Sequence, residues 1–356
     1  MSAVRFCPEP PLKKVRKSNN NSIFFVGNYF TIKKDFDKNI IIWYPIQQTK
    51  GVHIMNTEKY NKADEEVRKI IAEGKYPIVD LTIFDYLDQL HASESLKGKI
   101  EYTMDIYQDL IKEIKNLPPE LKLKYLLTLK NADVIDNQVL EEEDSFLIAL
   151  AQNMNPTTSL DIAINHYGRE FTKKEFIYLH DLLLEGTSSS DKQGLREDNS
   201  KFVGTWKDGE KNIQYFPIIS DDIDKALTKF LNFYNSNIDN TEKEYDTVLK
   251  PIIYHGLIAA LQLFKDGNTR FARTIQHVEL WGMLNNIVDR GIEMPIVYAT
   301  RQYFPYRNQY RDLIKNIAVQ NNEEAWDEWF NFNLRRIQDN IYLNKQNIEL
   351  SKQRIK

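Results

Sequence analysis

The sequence predicts a mainly α-helical protein with small β elements, and three observations carry that expectation. Beyond about Lys62, apolar residues recur at helical spacing, as in Val67, Ile70 and Ile71 and then Ile106, Leu110, Ile111 and Ile114. The β-prone runs are short and lie in only two places, Ile23–Ile46 and Phe202–Tyr215. The chain of 356 residues is 42% hydrophobic, enough for a large core, yet it has no internal repeat from which a solenoid could be built.

Element by element, residues 1–21 read as a disordered basic arm, with Pro8, Pro10 and Pro11 ahead of Lys13-Lys14-Val15-Arg16-Lys17. That cluster is either a solvated tail or a nuclear-import signal. Residues 22–150 form an expected α+β and helical N-terminal region. Ile23–Ile32 and Asn39–Ile46 read as two strands of a hairpin around the polar Lys33–Lys38. Helices follow, broken at Pro118-Pro119, and acidic Glu141–Asp144 reads as the start of a helix through Leu147–Leu150. Residues 157–317 hold helices at Asp161–Ile164 and Lys173–Leu184, the second with a Thr172/Glu175 capping box. Asp208-Gly209 between short β-prone runs signals a hairpin. Further helices are expected at Ile223–Tyr234, Tyr245–Leu263, Arg270–Asp289 and Tyr306–Ile317, and residues 318–356 as a charged helical tail with Trp326, Trp329 and Phe330 on one face.

Composition excludes several classes. Eighteen Phe, 19 Tyr and 5 Trp are too many for a wholly disordered chain. The longest apolar runs are too short for a bilayer, and no stretch has the character of a signal peptide, which predicts an intracellular, cytoplasmic protein with no membrane partner. The single Cys7 allows neither an internal disulfide nor a thiolate zinc site. A formal charge of −4 argues against bulk affinity for nucleic acid. Six scattered histidines form no ligand spacing, and His180 on an apolar face reads as a core residue.

One stretch carries chemistry. From Tyr254 to Arg273, a buried helix ends near Phe264, Asp266-Gly267 makes a turn, and a new helix starts at Asn268 or Thr269. Amides at a helix start form an anion site, and Arg270 and Arg273, three apart, share one face of the first turns. Two guanidinium groups there suit a polyphosphate, and Asp266 suits its Mg²⁺. An ordinary helix–turn–helix link capped by Asn268 or Thr269 explains the same residues without a ligand.

The segment resembles the signature of the Fic (Fido-domain) family, His-x-Phe-x-Asp/Glu-Gly-Asn-Gly-Arg-x-x-Arg. Phe264, Asp266, Gly267, Asn268, Arg270 and Arg273 match in order. His255 matches a histidine common on the preceding helix, and the similarity extends over about 157–317, including Leu179–Gly186, Gly194-Leu195-Arg196, Val203-Gly204 and Tyr215–Ile218. The resemblance implies a Fic/Fido helical core with a small β-hairpin flap, Mg²⁺ with ATP as cofactor, Asp266 on the metal, Asn268 and the loop amides on phosphates, and Arg270 and Arg273 on the terminal phosphates.

Two positions depart. Gln262 stands where the family has its catalytic histidine, and an amide has no basicity with which to take a proton from a protein hydroxyl. His255 lies on nearly the same helix face but about 10 Å further back, too far to substitute. Thr269 replaces the second motif glycine, narrowing the approach to phosphate. The family's inhibitory pattern, Ser/Thr-x-x-x-Glu-Gly/Asn, is approached only by Lys97–Tyr102, which makes Glu101 the candidate partner for Arg273. Three functions follow: a nucleotide-binding pseudoenzyme; an active Fic-type transferase (an AMPylase) moving AMP from ATP to a Ser, Thr or Tyr hydroxyl of a protein target; and an interaction protein without nucleotide binding.

Overall fold

The computed structural model describes three strands between residues 22 and 45. It then describes residues 65–141, 154–207, 210–236, 244–287 and 292–353, with short interruptions at 66, 88–89, 91, 186 and 188. The basic arm with Lys13–Lys17, the turn residues Asp208-Gly209, and Leu147–Leu150 lie outside the described residues. The chain divides into two compact units, residues 1–59 and 60–356, so the contact boundary falls inside the region read as 22–150.

In the first unit, β1 (Ser22–Val26), β2 (Tyr29–Lys33) and β3 (Tyr44–Pro45) make an antiparallel sheet in chain order. This corrects the sequence expectation. Ile23–Ile32 holds two strands, with Val26 paired to Tyr29, and the sequence between them, Gly-Asn, is of the kind that hairpin turns favour.

The second unit is helical. Its helices are α1 (Glu94–Lys115), α2 (Pro119–Glu141), α3 (Met154–His166), α4 (Lys173–Leu184), α5 (Ile223–Ser236), α6 (Glu244–Leu261), α7 (Asn268–Ile287), α8 (Arg307–Val319) and α9 (Glu323–Gln353). Between α4 and α5 lies the one hairpin described in this unit, β4 (Val203–Lys207) and β5 (Glu210–Tyr215). Local chemistry explains the boundaries. Pro119 opens α2, where its missing N–H costs nothing. Thr172 and Glu175 close a reciprocal capping box on α4, as their spacing predicts. Glu141 is the last residue of α2, and the rest of the acidic run, 142–144, lies outside the described residues.

α6 is the centre of the fold. From Val248 to Leu261 almost every side chain is buried, the signature of a helix covered on all sides, and α6 with α7 makes the most extensive helix pair described. α9 is no loose tail. Trp326 and Trp329 are fully buried, and the Trp329 indole N–H donates to the Ile252 carbonyl of α6 at 3.0 Å. Gly256 permits this approach, since a Cβ there would stand 2.8 Å from Ile317 Cδ1 and 2.9 Å from Trp329 Nε1.

Gly256→Ala is therefore expected to destabilise the protein by about 1–3 kcal/mol through overpacking, outweighing the better helix propensity of alanine. Chemical denaturation checks this, and an unchanged or raised midpoint would show that α9 yields without cost.

Candidate functional site

The site is built where α6 stops. The helix ends at Leu261, three residues before the expected Phe264, because Gln262 adopts φ +50°. The loop that follows is clamped from behind. Arg196 N–H donates to Leu263 O (3.0 Å), Lys265 N–H donates to Gly194 O (3.1 Å), and Arg196 Nε donates to Gln262 O (2.7 Å). Burial draws the Arg196 pKa down to about 10, which leaves the guanidinium charged at neutral pH. It also donates to the Asp198 and Ile218 carbonyls, joining the loop to the exit of the flap hairpin.

Within the loop, Asn268 bonds both backbone groups of Phe264 at 2.9 Å through its amide. These two bonds brace the turn from within. Gly267 takes φ +72°, and a Cβ there would stand 2.6 Å from Leu184 Cδ2, so a side chain is excluded on both counts. His180, fully buried, stacks on Phe264 with centroids 3.7 Å apart, and its Nε2 donates to the Asp266 carbonyl at 2.8 Å. It is the core residue its sequence context predicts. The first helical bond of α7 runs from Phe271 N–H to Gly267 O (2.9 Å), which puts the turn at the positive end of a helix dipole.

A cavity of about 510 Å³ opens over this turn, between the flap and α8. Gln262, Asp266, Gly267, Asn268 and Thr269 line it, as do Lys201, Gly204, Tyr215, Leu140, Arg307, Tyr310 and Arg311. Asp266 is the one acid among the lining residues, against three cations. Its carboxylate accepts from Ser189 Oγ (2.6 Å) and Gly267 N–H (2.7 Å), with Lys192 Nζ at 3.5 Å and Arg270 at 3.9 Å. Burial raises its pKa, but the Ser189 hydroxyl, Arg270, the Gly267 N–H and Lys201 together outweigh that and hold it at about 2.

Arg270 and Arg273 do not line the cavity. Arg270, 2% exposed, lies behind Asp266 with Nη2 3.4 Å from Ser189 Oγ. Arg273, fully buried, donates from Nε to Asn137 Oδ1 of α2 (2.6 Å) and from Nη1 to Tyr310 OH (3.4 Å). His255 continues this chain, with Nε2 2.7 Å from Tyr310 OH and Nδ1 against Gln276 Oε1. Burial, and next Arg273, push the His255 pKa well below its ordinary value. With both ring nitrogens engaged inside the core and its basicity lowered, this imidazole is no base for a substrate in the cavity. Glu101 is exposed on α1 and is not among the lining residues; the helix that reaches Arg273 is α2.

Sequence reasoning missed Asn137, Lys201, Arg307 and Arg311. A signal existed for two groups. Ala132-Asp133-Val134-Ile135-Asp136-Asn137 has the spacing of the inhibitory pattern, with Asp in the acidic place and Asn last, although Asp136 itself forks onto Arg301. Arg307 and Arg311, four apart on α8, share a face. Lys201 carries no pattern of its own.

Comparison with known proteins agrees with the geometry. Residues 170–280 match the model of the Fic/DOC family. Among curated proteins none matches the chain. Among solved structures, two forms of Fic-1 from C. elegans are each 14% identical. They have TM-scores of 0.44 and 0.43, over 72% of this chain and 73% and 74% of theirs. A Fic domain containing signaling protein from Bacteroides thetaiotaomicron is 13% identical at a TM-score of 0.45, over 70% of this chain and 98% of that one.

Because the Asp266 pKa is depressed, its contribution to stability is present above the ordinary 3.8 and is lost as pH falls through about 2. Removing the hydroxyl in Ser189→Ala is expected to move the pKa back toward 3.8, which carboxyl NMR titration reads directly. An unmoved value would mean that Arg270 and the backbone alone set it.

Proposed function

We propose that the domain binds a nucleoside polyphosphate such as ATP and transfers its AMP slowly or not at all, as a nucleotide-binding pseudoenzyme. One observation carries this reading. A cationic cavity sits over the α7 amides, and an amide, not an imidazole, stands at the position of the family's base. The Gln262 side chain supports it further. Its Nε2 donates to Ala259 O at 2.7 Å, so the carbonyl oxygen is the end left to meet a substrate hydroxyl. That oxygen can accept a hydrogen bond and hold a hydroxyl in place. It cannot keep the proton that attack on phosphorus releases.

Each remaining group has a role in this reading. Lys201 and Arg311 draw in a polyanion, and the α7 amides bind phosphate oxygens. Asp266 would hold Mg²⁺, which usually takes one or two carboxylates together with phosphate oxygens and would neutralise their charge. The fit is to a metal that arrives with phosphate: among the described residues Asp266 is the only carboxylate lining the cavity, and no cluster of three acidic or imidazole ligands occurs.

Millimolar Mg²⁺-ATP is expected to raise the melting temperature, by about 2.7 kcal/mol of linkage when the ligand stands at a hundred times its Kd. Arg311→Glu, an exposed site, should weaken that shift without unfolding the protein. Arg273→Ala is the poorer test, since it removes from the core a fully buried side chain that bonds Asn137 and Tyr310 and so perturbs the fold as well. No shift with any nucleotide would favour the interaction protein instead.

Gln262→His is expected to raise transfer from radiolabelled ATP at least about 10²-fold, the lower range of general-base effects. The backbone there is already held by Arg196, so the imidazole would stand at the same mouth. Strong wild-type labelling that the histidine variant loses would show the amide to be catalytic and overturn the pseudoenzyme reading.

A further inference from the structure

The carboxylate of Asp266 is already surrounded. Its Oδ1 accepts the Gly267 N–H at 2.7 Å and faces Arg270 Nη2 at 3.9 Å. Its Oδ2 accepts from Ser189 Oγ at 2.6 Å and faces Lys192 Nζ at 3.5 Å. Each oxygen thus has one hydrogen bond and one facing cation, and Lys201, which lines the cavity, further favours the ionised form.

Mg²⁺ demands near-octahedral oxygen geometry and gives up its water reluctantly, so it favours carboxylates whose lone pairs are open. At this turn it meets a guanidinium and an ammonium already placed on the same acid, and like charges so close repel it. The side chain of Arg270 is 3% exposed and fixed behind the loop, whereas that of Lys192 is 53% exposed on a flexible stem. An ion that arrives with phosphate therefore reaches Asp266 in the place of Lys192. What such an ion supplies is positive charge against phosphate, and the walls carry that charge already. Lys201, Arg307 and Arg311 line the cavity, against one acid among the described residues. Chelated Mg²⁺ also lowers the negative charge of a triphosphate, and so weakens its attraction to walls of this kind.

We infer that this cavity takes the metal-free polyanion of a nucleoside triphosphate, with Lys192, Lys201 and Arg311 supplying the positive charge that a divalent ion supplies at an acidic site. The inference rests on the nucleotide reading above and deepens it. Asp266 receives Mg²⁺ only where Lys192 gives way, and binding of the nucleotide does not depend on that exchange.

Calorimetric titration of the full chain with ATP, once in EDTA and once in millimolar MgCl₂, tests this. The affinity in EDTA is expected to equal or exceed that in Mg²⁺. Lys192→Met, a change at an exposed position, is expected to raise the ratio of the EDTA to the Mg²⁺ dissociation constant about tenfold, the worth of one charge-assisted contact. Asp266 then repels the metal-free polyanion and leaves its Oδ2 open to the ion. Lys192→Arg, which keeps the charge, should hold the wild-type ratio. Wild-type binding that EDTA weakens by about tenfold or more would overturn the inference and leave the nucleotide reading standing. So would a ratio that Lys192→Met does not move. No binding of ATP in either medium would sink the nucleotide reading and this inference with it.

Discussion

The junction at Gln262 is the constraint on which the rest of the site depends. A buried helix cannot simply run on into the loop below the cavity; it has to stop and reverse. Here a left-handed residue stops it, at a cost of about 1 kcal/mol or more for a side chain other than glycine. Arg196 caps the freed carbonyl and ties the loop to the flap, and the Asn268 amide braces the turn from within. Gly267 lets the turn press against α4. The same few contacts thus set both the direction of α7 and the floor of the cavity.

Charge in this region is arranged in two layers. Arg270 and Arg273 are buried, and each has protein oxygen partners: Ser189 and Asp266 for the first, Asn137 and Tyr310 for the second. Lys201, Arg307 and Arg311 face the cavity. The outer layer faces the open cavity, while the inner layer joins α2, α7 and α8. The outer layer is a matter of attraction and the inner one of architecture, which is why substitutions in the two should differ in kind.

α2 lies between two polar environments. One face presents Asn137 to Arg273; the other lines, with Asp133 and Asp136, a second cavity of about 590 Å³ between α2 and α9. The Asn137 amide bonds both Arg273 and Asp133, so one side chain links the helix that carries the Fic motif to a cavity on the far side.

Much of this was legible in the sequence. Helix positions followed from apolar spacing, the α4 start from Thr172 and Glu175, and the domain type from six motif residues in order over a segment the Fic/DOC family model matches. These are local properties: period, capping and turn chemistry act between neighbours along the chain, so a linear reading finds them. What only the tertiary structure decided is who meets whom. That Asn268 braces a loop, that α9 belongs to the core, that Asn137 reaches Arg273 across 136 positions and that Lys201 and Arg311 share one cavity depend on how distant segments pack. A side chain's neighbours far along the chain are set by the burial of all the others, and no spacing within the sequence records them.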